Sequence, residues 1–179
     1  MNSIKILDKE FKVSISKEQI QEAVTKIAVR LNNELSGKEV IFIGILNGSF
    51  MFAADLIRQI TLNSRITFVK VTSYQGTIST GTVKNLIGIN ENIKDKTVVV
   101  LEDVVDTGET INNIICQCKE DEPESIRIAT LLFKPKAFKK IFKIDYTGIE
   151  IPNDFVIGYG LDYNGYGRNL PEIYSLVKS

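Results

Sequence analysis

The run Thr97 to Val105 (TVVVLEDVV) constrains this chain more than any other segment. A half-buried strand alternates apolar and polar residues, whereas a strand with no polar face has to be covered on both sides. Glu39 to Leu46 (EVIFIGIL) has the same property, and Ile66 to Val71 and Ile126 to Phe133 add two more strand-like stretches. Helical patterns lie between them. Ser16-Lys17-Glu18-Gln19 reads as a capping box, followed at helical spacing by Ile20, Ala23, Val24, Ile27, Ala28, Leu31 and Leu35, with Gly37 as the stop. Phe50 to Ile60 carries Phe52, Ala53, Leu56, Ile57 and Ile60 on one face, and a third helix is predicted over Glu109 to Lys119. Strands that alternate with helices in this order imply an α/β fold. Its sheet is parallel, covered by helices on both faces and joined by right-handed crossovers.

Composition narrows the chemistry. Apolar residues make up 44% of the 179, enough for one sizeable core. Lys plus Arg and Asp plus Glu number 22 each, so no basic excess favours a nucleic-acid partner. There is no histidine, which excludes Ser-His-Asp and Cys-His catalysis and every His-ligated metal. Acid–base work falls to Asp, Glu, Lys or Tyr. Cys116 and Cys118 cannot build a disulfide framework and read as small hydrophobes on a helix, which suits a reducing, cytoplasmic setting. The opening MNSIKILDKEF is too charged for a signal peptide, and no apolar run reaches the ~18 residues of a membrane span.

Two stretches interrupt the rhythm. Ser73 to Lys84 (SYQGTISTGTVK) is polar and long for a loop, which suggests a functional segment. Ile151 to Lys178 is rich in glycine and aromatic residues and predicts a small lobe over one end of the sheet.

Val98 to Ile111 (VVVLEDVVDTGETI) carries the chemistry. A buried strand ends in two acids, and Asp106-Thr107-Gly108 turns directly into a helix. Ligands of open α/β sheets bind at this carboxyl end of the strands. A helix N-terminus offers unpaired N–H groups to a phosphate, and Gly108 lets the backbone come close. The segment is neither a GxxxxGK[ST] loop nor a GxGxxG fingerprint. Acids ahead of a phosphate cradle suit a ribose diol or the shell of a Mg²⁺ ion at Glu102 and Asp103. The competing structural reading has Asp106 as a simple helix cap and Glu102-Asp103 as solvated charges.

This segment resembles the phosphoribosyl-pyrophosphate signature of the type I phosphoribosyltransferases. Other pieces follow in that family's order over roughly residues 5 to 175. Leu46-Asn47-Gly48-Ser49-Phe50 resembles the pyrophosphate loop, and Ser73-Tyr74 the start of a mobile flap. Leu132-Phe133-Lys134-Pro135 resembles the base-recognition strand. Asp154 to Tyr163 (DFVIGYGLDY) resembles the purine-stacking hood, and Arg168-Asn169-Leu170-Pro171 the closing segment. The full set points to the hypoxanthine-guanine branch.

The resemblance implies one phosphoribosyltransferase domain over 1–179, with a core of about 16–145 and a hood of about 1–15 plus 146–179. It implies purine salvage: hypoxanthine or guanine plus phosphoribosyl pyrophosphate gives IMP or GMP plus pyrophosphate, with Mg²⁺ as cofactor. Asp106 is then the general acid/base. Glu102, Asp103, Thr107, Gly108, Glu109, Thr110, Asn47, Gly48, Ser73, Tyr74 and Arg168 hold phosphoribosyl pyrophosphate. Lys134, Phe155, Val156 and Asp162 hold the purine, and Glu102, Asp103 and Asp162 face metal. A homodimer or homotetramer is expected, without nucleic acid or membrane. Asn47 departs from the family, which commonly has Lys or Arg there, so only its backbone N–H is carried over. A cis peptide between Leu46 and Asn47 is also implied. A nucleotide-binding regulator on the same fold, and a transferase that prefers xanthine, are the alternatives.

Overall fold

The structure is a computed structural model that describes residues 3–72 and 84–177. Among the described residues, ten strands and three helices follow in the order β1 (Ser3–Ile6), β2 (Lys9–Ile15), α1 (Lys17–Glu34), β3 (Glu39–Leu46), α2 (Phe50–Ile57), β4 (Asn63–Thr72), β5 (Lys84–Ile87), β6 (Thr97–Val105), α3 (Glu109–Glu120), β7 (Ser125–Phe133), β8 (Tyr146–Glu150), β9 (Val156–Ile157) and β10 (Ile173–Leu176). The larger sheet has the order β5-β4-β3-β6-β7-β8. All its neighbours pair in parallel except β5, which closes one edge antiparallel to β4.

The alternation within the apolar strands explains the two-sided cover. Phe42, Val99, Leu101 and Ala129 point toward α1 and α2 and join one core with Ile20, Val24, Ile27, Leu31, Phe52 and Leu56. Ile41, Ile43, Val98, Val100 and Ile128 point the other way and join a second core with Ile111, Ile114 and Cys118 of α3. α1 starts where the sequence places it. The Gln19 N–H donates to Ser16 Oγ at 3.3 Å, and the Ser16 N–H donates to Gln19 Oε1 at 2.9 Å.

Three details depart from the sequence reading. α2 ends at Ile57 rather than Ile60. Its last turn tightens, with the Gln59 N–H donating to Leu56 O, and Asn32 of α1 then holds the exit, donating to Gln59 O and accepting from the Thr61 N–H, both at 2.9 Å. Residues 146–150, expected in the hood, form β8 on the edge of the larger sheet. Gly148 permits this, since a Cβ there would fall 2.6 Å from Leu131 O. Cys118 is buried as expected, whereas Cys116 is exposed.

The hood is a four-stranded antiparallel sheet in the order β1-β2-β10-β9, assembled from both ends of the chain. Phe11, Ile157 and Tyr174 form its own core. Val156, Tyr159, Leu161 and Ile173 reach down into the core beneath α1 and α2. Among the described residues, no helix is long and apolar enough to cross a membrane.

Candidate active site at the carboxyl end of the sheet

β6 delivers Glu102 and Asp103 to the end of the sheet, and the chain then turns into α3 through Gly108. Gly108 has φ 84, a left-handed conformation that glycine adopts without strain. A Cβ there would also meet the Phe138 ring at 2.7 Å. No side chain caps α3 at this residue. Thr107 Oγ1 accepts only a long 3.4 Å bond from the Glu109 N–H. The first amides of α3 are thus left open, and the dipole end adds partial positive charge. Glu102, Asp106, Thr107, Gly108, Glu109 and Thr110 line one small cavity of about 80 Å³ at this point. The carboxylate of Glu109 is turned aside by Lys140 Nζ at 2.5 Å.

The two acids ahead of the cradle are not solvated. Glu102 Oε2 is buried without a hydrogen-bond partner. Burial, and then the neighbouring Asp103 charge, push the Glu102 carboxyl well above the usual carboxylate range. Asp103 is also buried, and burial pushes its carboxyl up to about 6. The Val104 N–H, donating to Asp103 Oδ1 at 2.8 Å, and the Arg168 charge restrain that rise. The reading of these acids as surface charges therefore fails.

Asp106 stands where β6 ends, half exposed, and Lys134 Nζ lies 3.0 Å from its Oδ2. The Lys134 side chain is almost entirely buried and is no ordinary surface lysine. Its backbone is fixed by its N–H donating to Val105 O at 2.9 Å.

The Leu46–Asn47 peptide is cis, as the resemblance implies. The Asn47 side chain is exposed. Gly48 lies between two walls. A Cβ on it would overlap Asp103 Oδ2, at 1.6 Å, and a Cβ on Gly160 of the hood would come within 2.2 Å of Gly48 O. The strand end, the 46–49 loop and the hood thus meet at one residue.

In the hood, Phe155 is 45% exposed and supported edge-on by Tyr163 at 5.9 Å between ring centroids. Val156 is buried in β9. Asp162 is already engaged: Arg168 Nη2 lies 2.6 Å from its Oδ1, and the Gly165 N–H donates to its Oδ2. Arg168 Nη1 also donates to Gly160 O at 2.6 Å. Ser73 and Tyr74 lie outside the described residues. Sequence reasoning anticipated neither the Lys134–Asp106 pair nor the Gly48–Gly160 contact. The second had a visible signal in the paired glycines around Tyr159.

Among the described residues, no group of three or more acids or cysteines forms a ready metal cluster. Mg²⁺ does not require one. It keeps several waters and binds through one or two carboxylates plus substrate phosphates. The unpartnered Glu102 Oε2 beside the Asp103 carboxylate fits that donor set, whereas the engaged Asp162 carboxylate does not.

Comparison with known proteins agrees with this geometry. The phosphoribosyl transferase domain model matches residues 16–164. A hypoxanthine-guanine phosphoribosyltransferase of Streptococcus pneumoniae is 42% identical over 163 residues, covering 90% of this chain and 91% of that one. One from Staphylococcus aureus is 39% identical over 165 residues, 92% of each chain. The crystal structure of a hypoxanthine-guanine phosphoribosyltransferase from Bacillus anthracis superposes with a TM-score of 0.87 at 40% identity, covering 93% of this chain and 97% of that one.

Proposed function

The chain belongs to the phosphoribosyl transferase family, among the hypoxanthine-guanine phosphoribosyltransferases, and from that premise we propose how its residues divide the work. The protein is a purine salvage transferase. It joins hypoxanthine or guanine to phosphoribosyl pyrophosphate and releases IMP or GMP and pyrophosphate. The reacting ribose gathers positive charge, the leaving group gathers negative charge, and the purine must shed a proton.

The observation that carries the assignment is the Lys134–Asp106 pair at 3.0 Å. The 6-oxo group and N7 of a 6-oxopurine are neighbours on one edge of the base. An ammonium beside a carboxylate matches that edge: Lys134 donates to the oxygen, and Asp106 takes or returns the proton at the ring nitrogen. A 6-amino group presents donors to Lys134 and leaves it unpaired. Phe155 stacks on the base, and the main-chain carbonyls of Val156 and Asp162 face its 2-position. The open amides of Thr107, Gly108, Glu109 and Thr110 hold the 5′-phosphate, mostly through backbone, which agrees with the balanced charge.

Asn47 and Gly48 receive the pyrophosphate through their backbone N–H groups, and Arg168 closes on it from the hood. Glu102 and Asp103 hold the ribose hydroxyls and Mg²⁺, which would supply Lewis-acid stabilisation of the leaving pyrophosphate. The cytoplasm and a homodimer or homotetramer complete the reading.

A panel of bases with phosphoribosyl pyrophosphate and Mg²⁺, followed by nucleotide formation, tests it. Hypoxanthine and guanine should react, with adenine at least about 100-fold slower in kcat/KM. Lys134→Ala should raise the KM for purine most. Equal use of adenine by the wild type would remove the assigned role of Lys134.

A further inference from the structure

Tyr159 has no part in the assignments above, yet its environment is unusual. It stands at φ 48 between Gly158 at φ 97 and Gly160 at φ 101, so three successive residues occupy the left-handed region. A non-glycine residue there is costly and persists where its side chain is needed. The ring is buried in the core beneath α1 and α2. The hydroxyl donates to Asp55 Oδ2 at 2.7 Å, which also accepts from Gln21 Nε2 at 2.8 Å. Burial and the hydrogen bond to the Asp55 carboxylate push the Tyr159 phenol well above its ordinary range, so it stays a donor.

Asp55 lies on α2, whose first residues leave the 46–49 loop directly. One short helix thus carries the anion loop at its start and the partner of Tyr159 about one and a half turns on. The hood residue that follows Tyr159, Gly160, presses against Gly48 O and accepts from Arg168 Nη1. The loop has its own backbone bonds, with the Tyr159 N–H donating to Leu170 O and the Gly160 N–H to Arg168 O. Its internal shape therefore does not need the phenol. What the phenol fixes is the seat of this loop on α2.

We propose that Tyr159 and Asp55 form a positioning latch that sets the hood against the Asn47-Gly48 loop and so holds Arg168 and the Gly48 backbone in register for pyrophosphate. Neither residue touches substrate. The inference rests on the reading of the 46–49 loop as the pyrophosphate site.

Tyr159→Phe tests it, because the ring and its packing survive. The KM for phosphoribosyl pyrophosphate should rise about tenfold, the loss expected for a hydrogen bond to a charged group. The KM for purine and kcat should each change less than about twofold. Asp55→Asn keeps an acceptor and should retain most of the affinity. Asp55→Ala should match Tyr159→Phe, and the double variant should be no worse than either single one.

Gly48→Ala separates the two levels, since its methyl lands on the Asp103 carboxylate. If Gly48→Ala raises that KM and Tyr159→Phe does not, the latch is wrong, while binding of phosphoribosyl pyrophosphate where Gly48 meets Asp103 stands. If neither raises it, both fail. A lower melting temperature in Tyr159→Phe with unchanged KM values would mark a merely structural bond and overturn the proposal.

Discussion

Two helix starts in this protein are built in opposite ways. α1 begins with its capping box complete: Ser16 and Gln19 exchange hydrogen bonds, and the exposed acid in the first turn is well placed. The Glu18 carboxyl is held below its ordinary range, first by its own backbone N–H and then by the Ser16 hydroxyl. α3 begins with little met beyond the long bond from the Glu109 N–H to Thr107 Oγ1. Gly108 brings no capping side chain, and the acids delivered by β6 are buried and pushed upward. A helix N-terminus costs stability when its amides lack partners. The chain accepts that cost at α3 and avoids it at α1, so the unmet donors and strained acids of α3 mark the place where a ligand completes the structure. Damage at α3 should appear in catalysis and in the pH dependence of stability. Damage at α1 should appear in stability alone.

The largest effect belongs to Asp106→Asn. Positioned proton transfer contributes about 10²–10⁴-fold, and kcat should fall by that order while the KM for phosphoribosyl pyrophosphate moves only a few-fold. Steady-state kinetics with both substrates varied would read this. The melting temperature should fall modestly, because the buried Lys134 ammonium loses its counter-charge, while the amide oxygen of the Asn replacement still offers it a hydrogen-bond acceptor. Near-full turnover in this variant would remove proton transfer from the α3 side of the comparison.

Asp103→Asn comes next and sharpens the same contrast through pH. The folded carboxyl titrates near 6 rather than at its ordinary 3.8. The folded state therefore binds more protons than the unfolded state across that interval, and the protein loses stability from this group as pH rises from about 4 to 6. The loss is on the order of 3 kcal/mol. Asn carries no charge and escapes it. The melting temperature of Asp103→Asn should match the wild type near pH 4 and exceed it by roughly 6–12 °C above pH 7. Glu18 has the opposite sign: its depressed value contributes stability above the usual carboxylate range that is lost as pH falls. A pH-independent difference between Asp103→Asn and the wild type would refute the buried charge.

The same two starts show what a sequence makes legible. The α1 box lies within four residues, and β3 and β6 announce themselves as apolar runs over Glu39–Leu46 and Thr97–Val105, the bounds the structure gives them. The α3 turn is equally local, so Asp106 to Thr110 could be read as an anion cradle. Distant pairing is another matter. β2 is partnered by β10, with Ile15 opposite Ile173, and no local pattern records that register. β1 alternates polar and apolar residues, but it spans only Ser3–Ile6 and its Ile4 and Ile6 are only partly buried, so its signal is short and weak. β8 was hidden by Gly148, whose presence serves the approach to Leu131 rather than strand propensity. The burial of Asp103 depends on Gly48 and the hood closing over it, a fact of three segments at once.

Ser16→Ala should have the smallest effect and is the cleanest way to break the comparison. It deletes one acceptor for the Gln19 N–H and leaves the apolar face of α1 intact. Loss of an N-cap typically costs about 1 kcal/mol, which corresponds to roughly 2–4 °C in a chain of this size. Ser16 also joins β2 of the hood to α1 of the core, so a change in hood placement would show itself here. The expectation is a lower melting temperature with both KM values and kcat unchanged. Were the KM for phosphoribosyl pyrophosphate to rise as well, the start of α1 would be part of what seats the hood over the site, and the division between a helix start that serves stability and one that serves ligand would no longer hold.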